Sequence, residues 1–113
     1  LYSEKITDKV SKPKTKPGYK DVYHNYIIKV PKISRDNIMY ELSKVGIETK
    51  IHYPIPLHLQ ECANNLGYRE GDIPNAELFA KSMISLPIFP LLKNEEIDYV
   101  IENINFIINN LSF

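Results

Sequence analysis

One stretch, Gly46-Ile47-Glu48-Thr49-Lys50-Ile51-His52-Tyr53-Pro54-Ile55-Pro56-Leu57-His58, constrains this chain more than any other. Gly46 can take the left-handed conformation that ends a helix. Ile47 to Ile51 alternate apolar and polar, the pattern of a half-buried strand over 47–53. Pro54 and Pro56 then deny normal strand pairing and stiffen the exit. Two histidines and a tyrosine sit on that exit. Titratable rings on a proline-braced turn fit a binding site; the plainer reading is a packed rim.

The elements around it fall in a clear order. Asp21 to Val30 is rich in β-branched and aromatic residues and reads as a strand that Pro31 ends. Ser34 is a good N-cap for a helix over Arg35 to Val45, with Ile38, Leu42 and Val45 on one stripe. Leu57 to Leu66 has Leu59, Ala63 and Leu66 at helical spacing, and Gly67 stops it. Pro74 suits the first position of a helix carrying Ala76, Leu78, Phe79 and Ala80. Met83 to Leu86 reads as a third strand, stopped by Pro87. Asn94 caps a final helix whose stripe is Ile97, Val100, Ile101, Ile104, Ile108 and Leu111, with Glu95 and Glu96 placed well for the helix dipole. Residues 1–20 lack sustained periodicity, and Lys12 to Gly18 reads as a basic, proline-bearing connector. The expected fold is α+β: a small, mostly antiparallel sheet with helices packed on one face. The expected division is a linker, or the end of a preceding segment, over 1–20 and one domain over 21–113.

Bulk properties narrow the function. The chain has 113 residues, 43% hydrophobic and 25% charged, with 14 basic against 14 acidic residues. One domain of ordinary globular composition is expected. A zero net charge argues against a nucleic-acid partner held by phosphate contacts. No apolar run approaches the ~20 residues that span a bilayer. The start, Leu1-Tyr2-Ser3-Glu4-Lys5, carries neither a signal peptide nor an initiator methionine, as expected of a piece of a longer polypeptide. The single cysteine, Cys62, can form no internal disulfide, so a cytoplasmic setting is the default expectation. Beside Ala63 on an amphipathic helix, it reads as a packed, inert thiol.

Generic chemistries find little support. His24, His52 and His58 are the only histidines; His52 and His58 stand six apart across two prolines, which is no standard metal-ligand spacing. Four scattered glycines make no phosphate loop. Glu61 and Glu70 have no evident partner, and Glu95-Glu96 is explained by the helix dipole. The His52-Tyr53 pair remains, offering donors and acceptors near neutral pH.

Four segments resemble the C-terminal part of the DegT-type sugar aminotransferases, pyridoxal-phosphate enzymes of fold type I. Val22-Tyr23-His24-Asn25-Tyr26-Ile27-Ile28 resembles the strand that opens their small domain, with Asn25 where an apolar or aromatic residue is more usual. Gly46-Ile47, then Ile51-His52-Tyr53-Pro54-Ile55-Pro56-Leu57-His58-Leu59-Gln60, resembles their long proline loop. Pro74-Asn75-Ala76-Glu77 and Ser85-Leu86-Pro87-Ile88-Phe89-Pro90 resemble two further segments, in order. The resemblance covers residues 20–113. It implies a homodimer that moves an amino group from glutamate or glutamine to a nucleotide-linked ketosugar, in amino-sugar and surface-polysaccharide synthesis. This stretch would be the small domain closing over the site. His52 and Tyr53 would bond the sugar or its phosphates, His58 would hold the amino donor's carboxylate, and His24 would be a further substrate-side residue. Pyridoxal 5'-phosphate would be held by a large domain, because no segment here resembles the Schiff-base lysine motif. This stretch alone would then be inactive, with no catalytic residue of its own. Two other readings stand beside this one: a noncatalytic regulatory or interaction module docking through Ile88 to Leu92, and a metal-binding domain using the three histidines.

Overall fold

The architecture follows from the alternation in two short strands. The computed structural model describes residues 1–111. Strand β1 is Tyr26–Lys29 and strand β2 is Met83–Leu86. They pair antiparallel, Tyr26 opposite Leu86 and Ile28 opposite Ile84. Because successive side chains point to opposite faces, these four residues share one face. That face is dry: Ile28 and Ile84 are 0% exposed. Single antiparallel bridges widen the sheet at both edges, Ser11 to Lys29 on one side and Lys50 to Ser85 on the other.

Three of the four helices described cover this face. Helix α1 is Tyr2–Lys5, α2 is Arg35–Lys44, α3 is Pro74–Ser82 and α4 is Asn94–Asn110. Helix α4 turns Val100, Ile101, Ile104 and Ile108 inward, and α2 adds Ile38 and Leu42. All six join one cluster with the sheet residues. Each such side chain contributes about 1.5–3 kcal/mol on burial. Helix α2 ends where Gly46 takes φ +78°. The Gly46 N–H donates to Ser43 O and the Ile47 N–H to Leu42 O, at 3.1 and 3.0 Å. Ile47 and Leu42 are both buried in the core, the apolar contact that accompanies this kind of helix stop. The fold is α+β, with the sheet antiparallel and helices α1, α2 and α4 on the dry face, as the apolar stripes require, while Phe79 of α3 meets Lys29 on the other.

Several local expectations are corrected. Residues 1–10 are no bare connector: Tyr2, Ile6 and Val10 lie in the core. The Tyr2 hydroxyl donates to Pro87 O at 2.8 Å, and the Asn105 side chain bonds both Thr7 N–H and Lys5 O. The strand expected over Asp21 to Val30 is only its second half, since Tyr23 adopts φ +47° and breaks the extended run. The strand expected over 47–53 shrinks to the single Lys50 bridge. The next outward position on β2 is Pro87, which has no N–H to continue a ladder. The helix expected over Leu57–Leu66 is two 3-10 turns, Leu57–Leu59 and Glu61–Leu66, separated by an extended Gln60. Only Ala63 of its stripe is buried, too little apolar contact to hold an α-helix. Cys62 is therefore exposed rather than packed. At α4 the cap position is Lys93 rather than Asn94, and Glu96 Oε2 accepts the Lys93 N–H at 2.8 Å. Among the described residues, no helix is long and apolar enough to cross a membrane.

Candidate functional site

The second face of the sheet is chemically unlike the first. Alternation sends Ile27, Lys29, Met83 and Ser85 there. Met83 is buried on this side, outside the main core. Lys29 Nζ lies 4.9 Å from the ring centre of Phe79, a cation over an aromatic face.

His52 is placed by Ser85. The Lys50–Ser85 bridge brings the chain alongside β2, with Ser85 N–H to Lys50 O at 2.8 Å and Lys50 N–H to Ser85 O at 3.2 Å. Two residues later, His52 Nδ1 meets Ser85 Oγ at 2.8 Å. Whichever atom donates, the bond fixes the plane of the imidazole. No protein group among the described residues bonds Nε2, and His52 is half-buried. His52 and Ser85 line a cleft of about 680 Å³ with Asn25, Phe89, Leu92 and Tyr99. Its wall combines these apolar side chains with polar ones, among them Lys50 and the carboxylates Glu48, Glu95 and Glu96, a concave site of mixed chemistry suited to a small molecule. Tyr53 stands edge-on to His52, ring centres 5.7 Å apart and planes at 87°. It is 68% exposed and borders a neighbouring pocket of about 360 Å³ with Pro54, Ile55 and Gln60.

His58 is placed differently. It is buried, and its Nε2 lies 3.0 Å from Glu77 Oε1 on α3. The Glu77 carboxylate also accepts the Gly71 N–H at 2.9 Å and, at longer range, the Ile73 N–H. The bond from His58 is the main cause holding the Glu77 carboxyl below its ordinary value; burial opposes it and the two backbone N–H groups add to it. Tyr68 closes over the imidazole, ring centres 6.2 Å apart. His24 is exposed and does not line the large cleft. Of the four residues singled out from sequence, the structure thus brings His52 and Tyr53 together and sets His58 and His24 apart. Ser85 and Glu77, the partners of the two inner histidines, had no signal of their own beyond lying inside two of the resembling segments.

Resident groups can be tested against the same geometry. Among the described residues, no group of three or more His, Cys, Asp or Glu side chains is arranged to hold a metal ion. Among the described residues, no lysine is buried. Lys50, the lysine at the cleft, is 64% exposed and pairs with Glu48 at 3.1 Å. An exposed, ion-paired ammonium is poorly suited to Schiff-base chemistry, which needs a lysine able to lose its proton. These residues therefore do not fit as the covalent anchor of pyridoxal phosphate.

Comparison with known proteins joins these observations. A "Pleiotropic regulatory protein" of Geobacillus stearothermophilus is 46% identical over 104 residues, which is 92% of this chain and 27% of that protein. The "dTDP-3-amino-3,4,6-trideoxy-alpha-D-glucose transaminase" of Streptomyces venezuelae is 36% identical, across 80% of this chain and 23% of the enzyme. The crystal structure of S. venezuelae DesV in complex with a ketimine intermediate superposes with a TM-score of 0.85 at 31% identity, covering 92% of this chain and 28% of DesV. The chain spans about a quarter of the length of the curated relatives it matches. The model of the DegT/DnrJ/EryC1/StrS aminotransferase family matches residues 1–105, and the chain belongs to that family.

Proposed function

We propose that this chain is the substrate-side small domain of a pyridoxal-phosphate aminotransferase that aminates nucleotide-linked ketosugars. The observation that carries the reading is His52: oriented by Ser85, with no protein partner on Nε2 among the described residues, and set in the large cleft. With Tyr53 beside it, His52 offers hydrogen bonds to a sugar hydroxyl or a phosphate oxygen. Relatives named as transaminases of dTDP-linked amino sugars give the substrate class. The cofactor supplies the electron sink when bound. It would be held outside these residues, and the part of this chain is to bind and orient the sugar. The stiffness of Pro54 and Pro56 lowers the entropy lost when the loop is ordered against a ligand. The resemblance implies substrate-side roles for His24 and His58, while in this structure Glu77 already occupies Nε2 of His58. Glutamate or glutamine as amino donor, a homodimer, a cytoplasmic setting and inactivity of this stretch alone belong to the same proposal.

A second reading rests on the 46%-identical relative that is named as a regulatory protein. In it, the domain binds a ligand or partner without chemistry. Borohydride reduction of the full-length polypeptide, with pyridoxal phosphate in excess, separates the two. A pyridoxyl adduct on a lysine outside these 113 residues is the expected result. Absence of any adduct would favour the regulatory reading.

A further inference from the structure

The proline loop hangs between two anchors, and both belong to one continuous segment. Its upstream end is tied to Ser85 on β2, through the Lys50 bridge and His52 Nδ1. Its downstream end is tied to Glu77 on α3 through His58 Nε2. Helix α3 ends at Ser82 and β2 begins at Met83, with no loop between them. Glu77 and Ser85 thus ride on one helix–strand unit. Among the described residues, the hydrogen bonds to the stretch between the anchors are local: Gln60 Nε2 to Ile55 O at 3.2 Å, Leu59 N–H to Pro56 O at 2.9 Å and Gln60 N–H to Leu57 O at 3.3 Å. Its side chains Tyr53, Ile55 and Leu57 are 68%, 54% and 77% exposed.

Glu77 accepts three donors from neighbouring loops. One carboxylate takes the His58 imidazole and the N–H groups of Gly71 and Ile73. The loop over 67–73 includes two left-handed glycines, Gly67 and Gly71, and contributes no regular element of its own. A buried carboxylate with three donors from two separate loops is a costly arrangement unless every donor stays in place. It organises the loops around it.

We propose that Glu77 is a positioning residue for the Tyr53–Leu57 loop, acting through His58, and that His58 serves as an anchor instead of a ligand contact. The assignment rests on the aminotransferase reading for its effect on substrate, though not for the anchoring itself. Losing the Glu77 carboxylate frees the downstream end of the loop, while the His52–Ser85 bond at the upstream end stays. Tyr53 then samples positions away from the sugar. Binding weakens more than turnover, because the groups that react are untouched.

The test compares wild type, Glu77→Ala and Glu77→Gln in the full-length polypeptide. Amide hydrogen exchange and steady-state kinetics with a nucleotide-linked ketosugar are both read. For Glu77→Ala we expect exchange over 55–59 and at Gly71 and Ile73 to accelerate, KM for the ketosugar to rise about tenfold, and kcat to stay within about threefold. Glu77→Gln keeps the length and one acceptor oxygen, so it shifts both readouts the same way by less. It decides the matter if the alanine variant does not fold. Faster exchange with unchanged KM would overturn the positioning role. Unchanged exchange at 55–59 would overturn the anchor, whatever the kinetics. Absence of transamination by wild type would overturn the aminotransferase reading alone, leaving the anchor to be judged by exchange.

Discussion

The two faces of one small sheet obey different rules. The helix-covered face is built from Tyr26, Ile28, Ile84 and Leu86, and hydrophobic burial alone explains it. The other face mixes Ile27 and Met83 with Lys29 and Ser85, and has the His52–Ser85 and His58–Glu77 bonds beside it. There the geometry is set by directional hydrogen bonds, each partner chosen singly. A face held by packing tolerates any shape-matched apolar substitution. A face held by paired polar groups fails when one partner is lost. The first face makes the domain; the second sets the position of the proline loop.

Substitution can break this comparison directly. Ile28→Ala empties a fully buried site and should cost about 2–5 kcal/mol. Ile27→Ala, one residue along and half-buried on the other face, should cost less than ~1.5 kcal/mol. Urea unfolding of both variants reads the gap, and equal losses would erase the distinction between the faces.

A pH series sharpens it. The Glu77 carboxyl is held below the ordinary 4.5, first by His58. A depressed carboxylate adds stability above its unfolded value, and that stability is lost as pH falls through the folded one. Acid unfolding midpoints should therefore show a dependence below about pH 4.5 that Glu77→Gln flattens. Ile28→Ala should shift the same curve bodily without changing its shape.

Smaller effects follow. Ser85→Ala removes one half-buried hydrogen bond and should cost about 1 kcal/mol in the same urea assay. It should also free the His52 ring, visible as averaged imidazole NMR shifts. Lys5→Ala breaks an exposed pair with Asp98, 2.6 Å apart, and should cost only about 0.2–1 kcal/mol.

The packed face was largely legible in the sequence, and the polar face was not. Helix α4 announces itself through Ile97, Val100, Ile101, Ile104 and Ile108, because a stripe of that length has one periodic reading. Gly46 ends α2 as its backbone freedom predicts. Met83–Leu86 is a strand at the limits the sequence implies. The misreadings lie where tertiary contact decides. Tyr2, Ile6 and Val10 stand at four-residue spacing, a signal hidden by the charged residues between them and by the shortness of α1. The stripe over Leu57–Leu66 promised a helix, but with only Ala63 buried the chain settled for 3-10 turns. The His58–Glu77 bond joins residues 19 apart. No local pattern encodes such a pair, so resemblance could point to the loop but not to what holds it.

The central claim is that the polar face and its proline loop meet the nucleotide-linked sugar. Its most direct test is amide hydrogen exchange of the full-length polypeptide with and without a dTDP-linked amino sugar. The account predicts added protection over 50–58 and at Ser85, with α2 unchanged over 35–44. Protection confined to other parts of the polypeptide, with 50–58 unaltered, would contradict it.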